Sequence, residues 1–238
     1  MRKFYRIAGL NVEMDSFGRT ADQAKVYECE KFDKVDIMVH SLWEVNKNQY
    51  PYLSDDDGEY LATGSDFYKK LLRYDGFMLH SSAVVADGKA YLFTADSGTG
   101  KSTHTSLWKK LFGNRAYILN DDKPALRLED GIWYVYGTPW SGKHDLSMNE
   151  RVPLSGIAII ERGEENRMER MKEISAIVPI IRQANRPKDI ESRECLLRLI
   201  DKLLVKVPIW KLTCNMTLDA AILSYETMSG NKWRSLNE

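Results

Sequence analysis

The chain has 238 residues, 43% of them hydrophobic, and its 34 Lys and Arg balance 34 Asp and Glu. That length suits one large domain or a domain with a small appendage, and that hydrophobic share excludes a disordered chain. A formal net charge of zero speaks against a nucleic-acid partner, and no apolar run approaches the roughly 20 residues that span a bilayer, so no membrane partner is expected either.

Residues 1–63 read as a β-rich portion. Stretches 4–10, 24–28 and 35–40 carry apolar or β-branched residues in partial alternation. Residues 54–58, with Asp55, Asp56 and Asp57, read as a solvated turn, because adjacent positions cannot converge on one ion and the spacing of a calcium loop is absent. Residues 67–73 read as helix, and 78–85 and 89–94 as strands joined by the turn Ala86-Asp87-Gly88. A helix from Thr103 to Phe112 meets a C-cap at Gly113-Asn114. Residues 116–119 read as a strand, 124–128 and 132–136 as a hairpin, and 154–161 as a buried strand. Helices follow over 174–182, 190–205 and 218–228, with a strand at 208–212. The expectation is an α/β domain with a mixed β-sheet over 64–238. The portion before it either extends the same sheet or stands apart. Cys29, Cys195 and Cys214 are widely spaced and odd in number, which argues against a disulfide framework. The N-terminus lacks the apolar run of a signal peptide, so reduced thiols and a cytoplasmic location are expected.

Between the strand at 89–94 and the following helix stands Ala95-Asp96-Ser97-Gly98-Thr99-Gly100-Lys101-Ser102. Strand, glycine loop and helix, in that order, are what a phosphate-binding loop (P-loop) requires. Glycines let backbone N–H groups wrap an anion, and the helix N-terminus adds partial positive charge. Asp96, Ser97, Gly98, Thr99, Gly100, Lys101, Ser102 and Thr103 are therefore the expected nucleotide-binding residues. Lys101 would reach the β- and γ-phosphates of ATP, and Ser102 would offer its hydroxyl to Mg²⁺. Ala95 stands where the usual pattern has its first glycine, so either the loop enters slightly differently or Ala95 sits at negative φ.

Asn120-Asp121-Asp122 follows the next strand. In an open α/β sheet the carboxyl ends of the strands are where ligands bind. One carboxylate can hold Mg²⁺ while the other accepts a hydroxyl proton.

His80, the loop at 95–102 and the Asp121-Asp122 pair resemble the catalytic domain of HPr kinase/phosphorylase. The loop core from Ser97 to Ser102 is also similar to that of ATP-dependent phosphoenolpyruvate carboxykinase. The resemblance covers residues 76–145, and His80 precedes Ala95 by 15 positions as in the kinase. It implies a P-loop domain of that type, with Asp121 as the acid/base, Asp122 supporting the metal and phosphates, and His80 hydrogen-bonded to Asp121. The kinase's segment bearing a further metal-binding Glu is missing. In its place stands Tyr136-Gly137-Thr138-Pro139-Trp140-Ser141-Gly142-Lys143-His144, whose Ser141, Gly142 and Lys143 resemble a second anion-handling loop facing the acceptor. The kinase's own N-terminal domain is not recognisable in 1–63. The resemblance implies a stand-alone relative that phosphorylates Ser of a protein or peptide, and a homo-oligomer. Two other readings are a small carboxykinase using Arg162, Arg182 and Arg186 for carboxylates, and a non-catalytic ATP-binding module.

Overall fold

The runs Ser81–Ala86 and Lys89–Thr94 are apolar on both alternating sets of positions, so both faces of the strands they form must be covered. The computed structural model describes residues 2–234 and provides that cover. In chain order it contains β1 (Lys3–Ile7), β2 (Leu10–Met14), α1 (Gly18–Ala24), β3 (Ile37–Val39), α2 (Trp43–Asn46) and α3 (Asp55–Leu71). Then come β4 (Gly76–Met78), β5 (Ser81–Ala86), β6 (Lys89–Thr94), α4 (Lys101–Phe112), β7 (Ala116–Asn120), β8 (Ala125–Glu129) and β9 (Ile132–Tyr136). The chain continues with β10 (Arg151–Arg162), β11 (Arg167–Arg170), α5 (Glu173–Gln183), α6 (Ile190–Lys206), β12 (Ile209–Cys214) and α7 (Leu218–Ser229).

The long strand β10 belongs to two stretches of one mixed sheet. Its start pairs antiparallel with β9, and that stretch continues through β8 to β4. From Leu154 β10 pairs parallel with β6, with a register shift between Leu154 and Gly156, and from Ile157 it also pairs parallel with β12. β5 lies antiparallel between β6 and β7, and β11 antiparallel on β12. β6 and β7 are therefore parallel to one another, and their carboxyl ends open at the same edge. That alone brings the glycine loop and the acidic pair together.

Alternation along the strands sorts their side chains between two helical layers. Ala83, Val85 and Leu92 pack with Ile180 of α5 and Leu199, Ile200 and Leu203 of α6. Val84, Tyr91 and Phe93 pack with Trp108 and Phe112 of α4 and Tyr225 of α7. A third apolar cluster joins the small sheet β1-β2-β3 to Phe67 and Tyr68 of α3 and to Trp140. α3 runs through residue 64 without a break.

Several local expectations need correction. The turn at 54–58 is the start of α3: Ser54 Oγ accepts from the Asp57 N–H at 3.1 Å, and the helix dipole favours three Asp in the first turn. Thr63, Gly64 and Ser65 lower helix propensity and disguise this helix, but Gly64 is there for packing. A Cβ on it would lie 3.0 Å from the Trp140 ring. The strand at 24–28 is the end of α1 and a short 3₁₀ turn, since buried Ala24 and Tyr27, three apart, fit a helical turn. The strand at 4–10 breaks into a hairpin at Ala8-Gly9, both at positive φ. The strand at 78–85 divides at Leu79-His80, where the His80 N–H donates to Gln183 O at 2.8 Å. The sequence reading has no strand at β11, a short charged edge. All three cysteines are free thiols, and among the described residues no helix is long and apolar enough to cross a membrane.

Between α1 and α3 lies a fully buried carboxyl. Glu59 is 0% exposed, and neither of its oxygens meets a donor in hydrogen-bonding geometry. Burial pushes it from 4.5 up to about 7, offset in part by the nearby Thr20 hydroxyl and Phe17 N–H. The folded chain thus binds this proton more tightly than the unfolded chain. Its stabilising contribution is complete below about 4.5, the unfolded value, and is lost as pH rises through about 7, the folded one. Glu59 is expected to withdraw about 3 kcal/mol between about pH 5 and about pH 8. Glu59→Gln is expected to flatten that part of the pH dependence of urea unfolding, and an unchanged slope would assign it to another group.

Candidate active site

The loop between β6 and α4 turns on Gly98 and Gly100, at φ 77 and 125, a backbone region that L side chains rarely adopt. Ala95 has no positive φ, as its Cβ requires. Gly100 sits at the N-cap of α4, so the first N–H groups of that helix face the loop without intrahelical partners. The Lys101 ammonium reaches back across the loop to Ala95 O at 2.9 Å. Burial lowers its proton affinity, while Asp122, Asp121 and Asp96 act to raise it. From the end of β10, the Arg162 guanidinium donates to Thr99 O at 3.1 Å and to Gly98 O. In a trans peptide the N–H points opposite the C=O. Holding these carbonyls towards Arg162 turns the N–H groups of Thr99 and Gly100 the other way, the Thr99 N–H donating to Asp96 O at 3.3 Å. Arg162 is thereby committed to the loop, where the carboxykinase reading wanted it free.

The two carboxylates at the end of β7 face opposite ways because strand alternation continues past Asn120. Asp121 is turned towards α4: its Oδ1 accepts from Ser82 Oγ, which lies 2.8 Å from Thr105 Oγ1. Asp122 is turned towards α3, where its Oδ2 accepts from Tyr60 OH at 2.8 Å and from Lys123 Nζ. Its Oδ1 lies 3.3 Å from His80 Nε2. The expected His80–Asp121 bond is thus a His80–Asp122 contact, since only Asp122 shares a face with His80. Burial pushes the Asp122 carboxyl up, but His80, the Lys123 charge and the Tyr60 hydroxyl outweigh burial and hold it well below the usual carboxylate range.

From His80 the network continues. His80 Nδ1 lies 3.0 Å from Gln183 Oε1, and Gln183 Nε2 donates to Asp96 Oδ1 at 3.0 Å. Gln183, at the end of α5, therefore bridges the acidic pair to the entrance of the glycine loop. On the other side the 137–144 loop is pinned against Asp122. Gly142 N donates to Tyr60 OH at 2.9 Å, Gln23 Nε2 donates to Gly142 O at 2.7 Å, and Ser141 Oγ donates to Asp145 Oδ1 at 2.9 Å. Gly142 has φ 78, and a Cβ there would stand 3.0 Å from the Asp122 Cβ, so only glycine brings the loop this close. Lys143 and His144 are exposed at its tip. Ser97, Ser102, Asp121, Asp122, Gly142 and Lys143 line one cavity of about 380 Å³.

Of the residues singled out in the sequence, Ser97 and Ser102 of the glycine loop, the acidic pair and Ser141 to Lys143 meet at this cavity, whereas Asp96, Gly98 and Thr99 line a neighbouring cavity of about 580 Å³ with Arg162, Arg182 and Gln183, which Ser97 also borders. His80 stands behind it, reaching it through Asp122. Thr103 lies on the far side of the helix start, at a separate apolar cleft with Leu107 and Met216. Tyr60, Ser82 and Gln183 escape sequence reasoning, and Arg162 enters it only as a carboxylate-binding candidate. Each is an ordinary polar residue whose partner lies tens of positions away, as with Tyr60 and Asp122, 62 apart.

No family model matches the chain, and no curated protein matches it. Among solved structures it is similar to the HPr(Ser) kinase/phosphatase from Coxiella burnetii. The identity is 13% and the TM-score 0.37, over 65% of this chain and 94% of that one. This is a distant structural likeness.

Gln183→Ala removes the bridge without touching the apolar core. Amide exchange around His80 and around residues 96–100 is expected to quicken together, with the urea midpoint little changed. Quickening at one of the two alone would mean that they are held independently.

Proposed function

We propose that the chain is an ATP-dependent kinase that moves the γ-phosphoryl of Mg-ATP to a hydroxyl, with Ser of a protein or peptide as the acceptor. One observation carries this reading: Ser97 and Ser102, from a glycine loop at a helix N-terminus, line the same cavity as the carboxylate pair. The loop alone would only bind. The carboxylates add a cation site and a proton acceptor, which phosphoryl transfer requires.

The donor set suits Mg²⁺. Among the described residues no cluster of three or more His, Cys, Asp or Glu could hold a metal unaided. Mg²⁺ needs no such cage, because it keeps several waters and binds through one or two carboxylates and the phosphates of the substrate. Ser102 and Asp122 would hold it, Asp122 being kept anionic by its three donors. When bound, the ion neutralises charge on the phosphate oxygens.

Asp121 would take the proton of the acceptor. Its Oδ1 is held by Ser82, and among the described residues no hydrogen bond is made to its Oδ2, which would accept from the incoming hydroxyl. As the new O–P bond forms, the bond from the γ-phosphorus to the bridging oxygen breaks, ADP leaves, and the proton rests on Asp121. Lys101 and the start of α4 stabilise negative charge on the phosphates. Lys143 carries a cation with no side-chain partner among the described residues into the same cavity, where Ser141 and Gly142 form the wall on the acceptor side.

Transfer from ATP labelled at the γ-phosphate to Ser-containing peptides tests this. Asp121→Asn is expected to lose about 10²–10⁴-fold in turnover while Mg-ATP still binds, and Lys101→Ala to lose Mg-ATP affinity. Full turnover by folded Asp121→Asn would contradict the base assignment. Binding of Mg-ATP without transfer to any hydroxyl would instead mark a nucleotide-binding module.

A further inference from the structure

Beyond the acidic pair the surface does not close. Tyr60 and Leu61 of α3 form the outer wall of the site cavity and also line a second cavity of about 540 Å³, with His80, Lys123, Arg182 and Arg186. Leu61, Ser65, Asn185 and Arg186 are shared in turn with a third cavity of about 580 Å³, floored by Leu42, Trp43, Tyr50 and Tyr52. The three adjoin through these shared walls, and the surface groove they mark leads outward from Asp122 between α3 and the segment joining α5 to α6.

The groove has two chemical characters. Its outer floor is apolar and exposed, with Tyr52 at 77%, Leu42 at 56% and Leu61 at 46%. Its rim is cationic: Arg182, Arg186 and Lys188 are exposed and have no side-chain partner among the described residues. Asp66 is the acidic residue of the outer cavity, and it is already bound by Lys70 at 2.6 Å and the His40 N–H at 2.8 Å. The rim is firmly mounted, because Arg193 of α6 donates to Pro187 O at 3.1 Å and to Lys188 O. Asp189 caps α6 through the Ser192 N–H at 2.9 Å. In a chain of zero net charge, three unpaired cations beside an apolar floor make a local asymmetry with a defined complement.

We propose that this groove docks the acceptor as an acidic peptide segment carrying an apolar anchor. The proposal rests on the kinase reading of the adjoining cavity. The acceptor Ser would sit at Asp121, acidic residues next to it along the Arg182–Arg186–Lys188 rim, and an aliphatic or aromatic side chain among Leu42, Tyr52 and Leu61. Charge on the rim would select the partner, and the apolar anchor would supply most of the affinity. Three cations are few for a nucleic acid, whose binding usually draws on about 6–10 phosphate contacts.

The test is fluorescence anisotropy with the full chain and a labelled Ser-Glu-Glu-Leu-Leu peptide, beside its Ser-Lys-Lys-Leu-Leu counterpart and an oligothymidylate. The acidic peptide is expected to bind about tenfold or more tightly than the basic one. The double variant Arg186→Glu, Lys188→Glu is expected to reverse that preference, and Tyr52→Ala, Leu61→Ala to weaken both. Equal binding of the two peptides, no binding of the acidic one, or tighter binding of the oligonucleotide would overturn the proposal. A parallel Mg-ATP titration keeps the two claims apart. ATP binding without peptide selectivity removes the groove and leaves the kinase reading, whereas peptide selectivity without ATP binding does the reverse.

Discussion

Two lines of side-chain hydrogen bonds tie the acidic pair to the two ends of the glycine loop. One runs from Asp122 through His80 and Gln183 to Asp96, where the loop begins. The other runs from Asp121 through Ser82 to Thr105, on the helix into which the loop opens. Neither carboxylate is free to drift from the loop without breaking bonds in a largely buried setting, where unmade hydrogen bonds are costly. Positioning supplies much of the barrier lowering in phosphoryl transfer, so this double tether is the feature on which the proposed chemistry depends. It works because β6 and β7 run parallel, which is a consequence of β5 lying antiparallel to both.

The helices contribute through their ends. α4 presents its N-terminus and α5 ends at Gln183, so a helix on each face of the sheet delivers one element to the site. The N-terminal portion contributes through α3, whose Tyr60 hydroxyl meets Asp122, Lys123 and Gly142 at once. Packing behind Tyr60 is dense: the rings of Phe67, Tyr68 and Trp140 lie within about 5 Å of one another, with Phe67 stacked on Trp140 and Tyr68 set at an angle to both. The acceptor side of the cavity is thus built on a rigid aromatic base and ends in the exposed tip at Lys143 and His144.

The parts legible in the sequence are those whose reasons are local. Strand β6, the glycines, Lys101-Ser102, helix α4 and its Gly113 cap are fixed by residues within a few positions of one another. The same holds for the β8–β9 hairpin. What escapes is fixed at a distance. α3 is disguised by Thr63, Gly64 and Ser65; Thr63 accepts from Trp140 Nε1 and Gly64 leaves room for the Trp140 ring, 76 positions on. The partner of His80 changes from Asp121 to Asp122 because adjacent strand residues point to opposite faces, and which face meets His80 depends on α3 and α5. Gln183 and Arg162 carry no motif at all. Their roles exist only once β10 and α5 have closed against the loop.

The most direct measurement is a crystal structure of the chain with Mg²⁺ and a non-hydrolysable ATP analogue. The account predicts the β- and γ-phosphates against the N–H groups of residues 98–102, and the ion between Ser102 and Asp122. It also predicts an open path from the γ-phosphate to Asp121 Oδ2. A nucleotide seated elsewhere, or one bound at the loop with its γ-phosphate turned away from both carboxylates, would contradict it.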